Sequence, residues 1–383
     1  MARKTNKLKT FFTSLFSLIL GLAVGAVSQL YLSLPHSYKI PEKINTNHSS
    51  HISTGKLEKS VVLDNDLSIH FLELGNKYTG DCTLIKVGST EMLIDAGSKE
   101  SSVPYIKEYL DEYVEGDLDY VVVTHAHEDH YAGFATSKFE DSLFNFYDVG
   151  QIIEFSQTYK TTSNKLFNNY TNNKNTENAP VTKAHELVGQ NIQLGNPSAN
   201  VFFEILNQKF YYEEHKEDAE TENNFSVCLQ LTHGTKKYLF TGDLEKEGEL
   251  SLLSMNTLSH VSLYKAGHHG SKTSSCLEFM EAITPDVVCV CCCAGSSEYT
   301  TKNQNQFPTQ EFINNVYSAN FNTKIYVTSL CIDYKAAKFT SFNGTIVVCS
   351  KGTQDINVFA SNNTKELRDS EWFKNNRTLP SVS

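Results

Sequence analysis

The run Thr124-His125-Ala126-His127-Glu128-Asp129-His130 places three imidazoles and the Asp129 carboxylate within positions 125 to 130. Imidazole is a borderline ligand suited to zinc or manganese, and Asp adds a harder oxygen donor. Directly before it, Tyr120-Val121-Val122-Val123 reads as a buried strand, so these side chains sit where a strand end meets a loop and can converge. A lone His would read as a core or surface residue. The order H-x-H-x-D-H predicts instead a metal site built from His125, His127, Asp129 and His130.

Other strand ends carry groups of the same kind. Leu93-Ile94-Asp95-Ala96-Gly97 and Leu239-Phe240-Thr241-Gly242-Asp243 each end an apolar run on a carboxylate, and Val261–Lys265 runs into Ala266-Gly267-His268-His269-Gly270-Ser271. A carboxylate has two lone-pair-rich oxygens and can bridge two cations, which makes Asp243 the candidate shared ligand. Ser271, Lys272 and Ser274 follow at an expected helix start, where free N–H groups and a lysine suit an anionic phosphate. The same serines could equally cap that helix.

These residues need elements to hold them. Strand signals occur at 68–74, 83–87 and 91–95, and then Val103, Ile106, Leu110 and Val114 fall at helical spacing, with Pro104 in the first turn. Strand, helix, strand predicts an α/β layer fold. The second half repeats the alternation: strands near 201–206, 225–231, 238–241, 261–265, 287–292, 324–327 and 346–349, with helices near 244–253, 277–283 and 309–316. Residues 157–180, rich in Asn, Thr and Lys, read as a surface insertion loop.

The amino terminus differs from the rest. Arg3, Lys4, Lys7 and Lys9 precede an apolar stretch from Phe11 to Leu34, which meets the roughly 20 residues a membrane-spanning helix needs. We read residues 1–34 as a signal-anchor or signal peptide, 35–60 as a tether, 61–355 as the catalytic domain and 356–383 as a tail. The positive-inside rule retains the basic end in the cytoplasm and sends the domain outside, either membrane-anchored through residues 11–34 or secreted.

Net charge is −11, and the first 40 residues contribute only positive groups. The remainder is therefore strongly acidic, which disfavours a broad nucleic-acid groove, since counterion release needs clustered Lys and Arg. It does not exclude a nuclease whose metals do the binding. Of nine cysteines, Cys289, Cys291 and Cys293 alternate along one expected strand. They read as small apolar strand residues, and no disulfide framework is expected.

Asp95, His125, His127, Asp129, His130, Asp243 and a final His268 or His269 together resemble the metallo-β-lactamase superfamily. Asn223-Asn224-Phe225-Ser226-Val227, His268-His269-Gly270-Ser271-Lys272-Thr273-Ser274-Ser275 and Asn343-Gly344-Thr345-Ile346 look more narrowly like the hydrolase domain of ComEC-type competence proteins. The resemblance implies a four-layer αβ/βα sandwich with two divalent metal ions, zinc or manganese, at one edge of its sheets. It further implies a phosphodiester substrate, with DNA as the class. On this basis His125, His127 and Asp243 take one metal, while Asp129, His130, His268 and the shared Asp243 take the other. Two close cations would generate hydroxide from water and neutralise a phosphoryl oxygen. Asp129 would orient the nucleophile, His269 or Lys272 would serve the phosphate or leaving group, and Asn224 would line the substrate site, with Asp95 as a structural motif residue.

Three departures from the pattern stand out. Leu74-Gly75-Asn76-Lys77-Tyr78-Thr79-Gly80-Asp81 replaces a shorter G-Q-G-D turn, and after Ser297 the expected N-x-Y-G-H-P is missing, as is the His of Gln306-Phe307-Pro308. The superfamily's extra His before Asp243 is also missing: His215 lies in an acidic run, and Asn223 or Asn224 stands in the expected place. Rival readings are a phosphorylcholine, teichoic-acid or other small-ester hydrolase, and a metal-stabilised binding module without turnover. No obligate protein partner is expected.

Overall fold

The computed structural model describes residues 52–218, 221–352 and 355–381. The apolar segment 11–34 lies outside them. Among the described residues no helix is long and apolar enough to cross a membrane.

Two sheets carry the fold. The first has β1 (Ser53–Lys56), β17 (Asn357–Ala360), β16 (Ile346–Ser350), β2 (Leu67–Phe71), β3 (Thr83–Val87), β4 (Thr90–Ile94), β5 (Leu118–Val123), β6 (Val149–Glu154) and β7 (Val181–Lys183) side by side in that order. The second has β15 (Lys338–Ser341), β14 (Lys324–Asp333), β13 (Val287–Ala294), β12 (Leu263–Lys265), β11 (Lys236–Phe240), β10 (Leu229–His233), β9 (Val201–Ile205) and β8 (Ile192–Gln193). Neighbours β4, β5, β6 and β7 run parallel, as do β11, β12, β13 and β14. Parallel strands bring their carboxyl ends to one edge of a sheet, where α/β folds place their sites.

The period of two along the second sheet explains the layers. Tyr238, Phe240, Leu263, Cys289, Cys291 and Tyr326 join one core with the first sheet, and Phe71 stacks on Phe240 across the interface at 6.4 Å between ring centroids. Their neighbours Leu239, Tyr264, Val288, Val290, Cys292 and Val327 face a second core. On the first sheet, His70 turns the other way and packs edge-on against Tyr109 and Tyr113 of α1 (Val103–Tyr113). Beyond the second sheet lie α3 (Lys246–Met255), α4 (Leu277–Ile283), α5 (Gln310–Ala319) and α6 (Glu371–Asn376), whose Leu252, Phe279, Phe312 and Phe373 fill that second core. The order helix, sheet, sheet, helix is the four-layer sandwich expected. All nine cysteines are free thiols, and Cys289 and Cys291 act as small apolar core residues.

Three segments differ from the sequence reading. Ser53–Lys56, inside the span read as tether, pairs in parallel with Asn357–Ala360, inside the span read as tail. The tail continues into α6, burying Leu367 and Phe373, because its apolar residues find the open side of the second sheet. The span 157–180 read as a loop contains α2 (Lys165–Glu177). Its polar composition hides an N-cap, the Asn164 side chain accepting from Phe167 N, and one buried ring, Tyr170, whose hydroxyl donates to Glu154 at 2.7 Å. Such anchors suffice where a hydrophobic stripe is thin.

Candidate metal centre

Buried valines set the position of the histidines. Val121, Val122 and Val123 are 0–1% exposed, and each contributes on the order of 1.5–3 kcal/mol by burial, which fixes the end of β5 where the chain turns out of the sheet. Thr124 O then accepts from Val227 N at 2.9 Å, joining the two halves of the molecule beside the site. Gly97 lets the facing loop close in, since a Cβ there would stand 1.6 Å from Asp129 O. Asp95, His268 and His269 all adopt positive φ, at 58°, 45° and 53°. Such backbone costs a non-glycine residue on the order of 1 kcal/mol or more, and here it serves to aim side chains into one point.

That point is Asp243. His130 Nε2 and His269 Nε2 each lie 3.2 Å from Asp243 Oδ2, and Asp129 Oδ2 lies 3.5 Å from His269 Nε2. Hydrogen bonds on the far sides of the rings set the tautomers. His130 Nδ1 lies 2.7 Å from Asp95 Oδ2, a carboxylate already held by Thr124 N and Thr124 Oγ1 at 2.8 and 2.7 Å. His269 Nδ1 lies 3.0 Å from the Cys291 carbonyl and 3.2 Å from Asp81 Oδ1. Both partners can only accept, so each Nδ1 carries a hydrogen and each Nε2 is the nitrogen aimed at Asp243.

Asp81, His130, Asp243 and His269 are buried and offer ligand atoms within 4.8 Å of one another. His130 Nε2, Asp243 Oδ1 and His269 Nε2 have no hydrogen-bond partner. Orphaned donor atoms of this kind, converging and buried, fit a divalent cation. Proximity alone would make Asp81 a ligand, but its other oxygen is ion-paired with Lys265 Nζ. Lys265 is itself buried, 3.7 Å from Asp243 Oδ1. The geometry suits Asp81 better to orienting His269, as Asp95 orients His130.

Burial pushes the His130 imidazole down, but the carboxylates of Asp243 and Asp95 outweigh it and lift it to about 10. Burial is likewise outweighed at His269 by Asp243 and Asp81, which raise it well above the usual value. Asp243 is held far below the carboxylate range, because His130, His269 and His268 outweigh the cost of burial. In this state protons balance charge that a cation would balance instead, so metal entry would release them. His125 goes the other way: burial, then the neighbouring His130 and His127, hold it well below the usual imidazole value and keep it neutral.

His125 and His127 form a second, shallower group. His125 Nε2 faces His127 Nδ1 at 3.1 Å, while His125 Nδ1 meets only the hydroxyls of Thr124 and Ser226 at 3.2 and 3.3 Å. His125 and His130 rings lie 4.2 Å apart between centroids, so the two groups adjoin. His127 is partly exposed.

The remaining expected residues are placed as follows. His269, not His268, enters the four-residue cluster, because His269 is drawn inward by the Cys291 carbonyl. His268 Nε2 stands 3.9 Å from Asp243 Oδ2, and its Nδ1 faces Thr273 Oγ1 at 3.1 Å and Asn223 Nδ2 at 3.5 Å. Asn224 turns away from the site, its Oδ1 accepting from Glu245 N at 3.2 Å, and Asn223 is the one beside His268. Ser274 is buried and donates to Leu244 O at 2.6 Å, whereas Ser271 faces Thr273 Oγ1 at 3.1 Å. Both bonds tie the loop to itself or to its neighbour. Lys272 is exposed, and among the described residues no hydrogen bond or ion pair ties it to the cluster.

Three residues of the site were missed as site residues: Asp81, Lys265 and Tyr299, whose hydroxyl donates to Asp129 Oδ2 at 3.2 Å. A charged residue closing the apolar strand Leu263-Tyr264-Lys265 was a usable signal, since burying Lys demands a carboxylate. Tyr299 gave none.

Comparison with known proteins agrees with the site's composition. Residues 75–140 match the metallo-beta-lactamase superfamily, a stretch that holds Asp81, Asp95 and His125 to His130. The chain is similar to ComE operon protein 3 of Bacillus subtilis, 38% identical over 68 residues, which are 18% of this chain and 9% of that protein. It is also similar to competence protein ComA of Neisseria gonorrhoeae, 36% identical over 98 residues, 25% of this chain and 13% of that protein. The chain thus matches only a small part of the length of these relatives. Among solved structures, the metallo-beta-lactamase fold protein YhfI from Bacillus subtilis aligns with a TM-score of 0.37 at 13% identity, covering 58% of this chain and 84% of YhfI.

Proposed function

As a chain that carries a metallo-β-lactamase superfamily domain, this protein is, we propose, a phosphodiesterase of the ComEC-like kind, dependent on two divalent metal ions and acting on DNA. The observation that carries the reading is the convergence of His130 Nε2 and His269 Nε2 on one buried carboxylate, Asp243, with Asp129 beside His269. Its likeness to competence proteins supports the substrate class.

In this reading His130, His269, Asp129 and Asp243 hold one ion, and His125 and His127 contribute to a second beside the shared Asp243. Bound there, divalent ions supply Lewis acidity, lowering the pKa of water and neutralising charge on a phosphoryl oxygen. The chain's own groups do the rest. Asp95 keeps the His130 hydrogen on Nδ1, and Asp81 with the Cys291 carbonyl does so for His269. Asp129, on the rim of the cluster, is placed to orient the attacking water. His268 Nε2 stands 3.9 Å from Asp243 Oδ2, placed to hydrogen-bond the departing oxygen. We further propose that residues 11–34 tether or export the domain.

The test is turnover of single-stranded DNA and bis(p-nitrophenyl) phosphate by the full chain loaded with Mn2+ or Zn2+. Cleavage of both is expected. Cleavage of the small diester alone would replace DNA by a small-molecule substrate, and no ester turnover with metal demonstrably bound would overturn the hydrolase reading.

A further inference from the structure

At 60% exposure, Tyr299 is the most exposed large hydrophobic side chain but one among the described residues, yet its hydroxyl donates to Asp129 Oδ2 at 3.2 Å. Its ring leans on Phe307 at 5.4 Å between centroids, and Phe307 in turn covers His268 and His269 at 5.8 and 6.1 Å. An aromatic wall therefore leads from solvent to the metal centre, with a phenolic O–H at its inner end. We propose that Tyr299 is a substrate-binding residue that donates its O–H to an anionic phosphoryl oxygen bound beside Asp129. The inference rests on the hydrolase reading above and adds a residue to it.

Packing does not explain this side chain. The loop around it is anchored elsewhere: Gly295 N donates to Phe307 O at 2.8 Å, Thr79 N donates to Glu298 at 2.9 Å, and Arg377 holds Pro308 O and Gln306 O at 2.8 and 2.6 Å. Without the Tyr299 hydroxyl every one of those bonds remains. Among the described residues the hydroxyl's hydrogen-bond partner is one site carboxylate, Asp129. Asp129 Oδ2 also faces His269 Nε2, so the phenol shares this oxygen with the site and can turn to a second acceptor that substrate brings. A phosphate diester brings an anionic one, and a hydrogen bond to a charged acceptor is stronger than a neutral bond. Lys272, the residue expected to supply this contact, stands exposed without a bond to the cluster.

Tyr299→Phe removes the donor and keeps the wall. With the Mn2+-loaded full chain, metal content and melting temperature should match wild type. kcat/KM for bis(p-nitrophenyl) phosphate should fall roughly ten- to a hundredfold, the worth of a hydrogen bond to a charged group, and the Kd for inorganic phosphate should rise in parallel. Values within twofold of wild type on both measures would overturn the proposal. Loss of bound metal in Tyr299→Phe would also overturn it, since the hydroxyl would then act on Asp129 rather than on substrate. Should wild type hydrolyse no ester, the hydrolase reading fails on that result, while the phosphate Kd still decides the role of Tyr299.

Discussion

The two halves of the metal centre are built to different standards. Around Asp243, His130 and His269 are fully buried, and each has its Nδ1 fixed by an acceptor: Asp95 for one, Asp81 and the Cys291 carbonyl for the other. Beside them, His125 has only the hydroxyls of Thr124 and Ser226 behind it, and His127 is partly exposed. A hydroxyl can donate or accept and so does not dictate which ring nitrogen is bare. Carboxylates and carbonyls do. In the first half the ring orientations are set, and a cation would displace protons from nitrogens already aimed at Asp243, whereas in the second no acceptor settles which nitrogen is bare. Preorganisation, more than ligand count, distinguishes the two.

If one carboxylate serves both halves, Asp243→Ala should cause the largest loss. An ion's charge stabilisation is worth several kcal/mol. At 1.36 kcal/mol per tenfold, turnover of bis(p-nitrophenyl) phosphate should fall by roughly a thousandfold or more. Near-normal rates would break the comparison at its root. A smaller effect follows from the orienting groups. Asp95→Asn removes the acceptor charge behind His130 and should weaken metal binding by about 10–100-fold, measured by Mn2+ titration, with rates recovering at saturating metal. An unchanged affinity would mean that the His130 tautomer is set by something else.

How much of this was legible follows from where each signal lies. The two sheets and the ligand strands could be read because apolar runs end on His or Asp at Val123, Ile94 and Phe240, and period and motif coincide there. The choice between His268 and His269 could not, since both are adjacent imidazoles and a single carbonyl, Cys291 O, turns one of them inward. Asp81 stood in plain view after Gly80 but drew meaning only from Lys265, 184 positions later in the chain, which folding sets against it. Helix α2 was missed because its anchors are mostly polar and scattered, the Asn164 cap, Tyr170, Asn173 and Lys174, instead of an apolar stripe. Local pattern finds the elements, while pairings between distant strand ends decide the roles.

The weaker half offers the finest test. His127 is partly exposed and its ring nitrogen faces another imidazole, so water can take its place at modest cost. His127→Ala should leave the first equivalent of Mn2+ bound as in wild type and weaken a second by about tenfold, or 1.4 kcal/mol. Metal titration followed by elemental analysis after dialysis would separate the two equivalents. If His127→Ala instead lost the first equivalent, the shallow pair would be the tighter position, and the orienting acceptors behind His130 and His269 would be serving the fold rather than the metal.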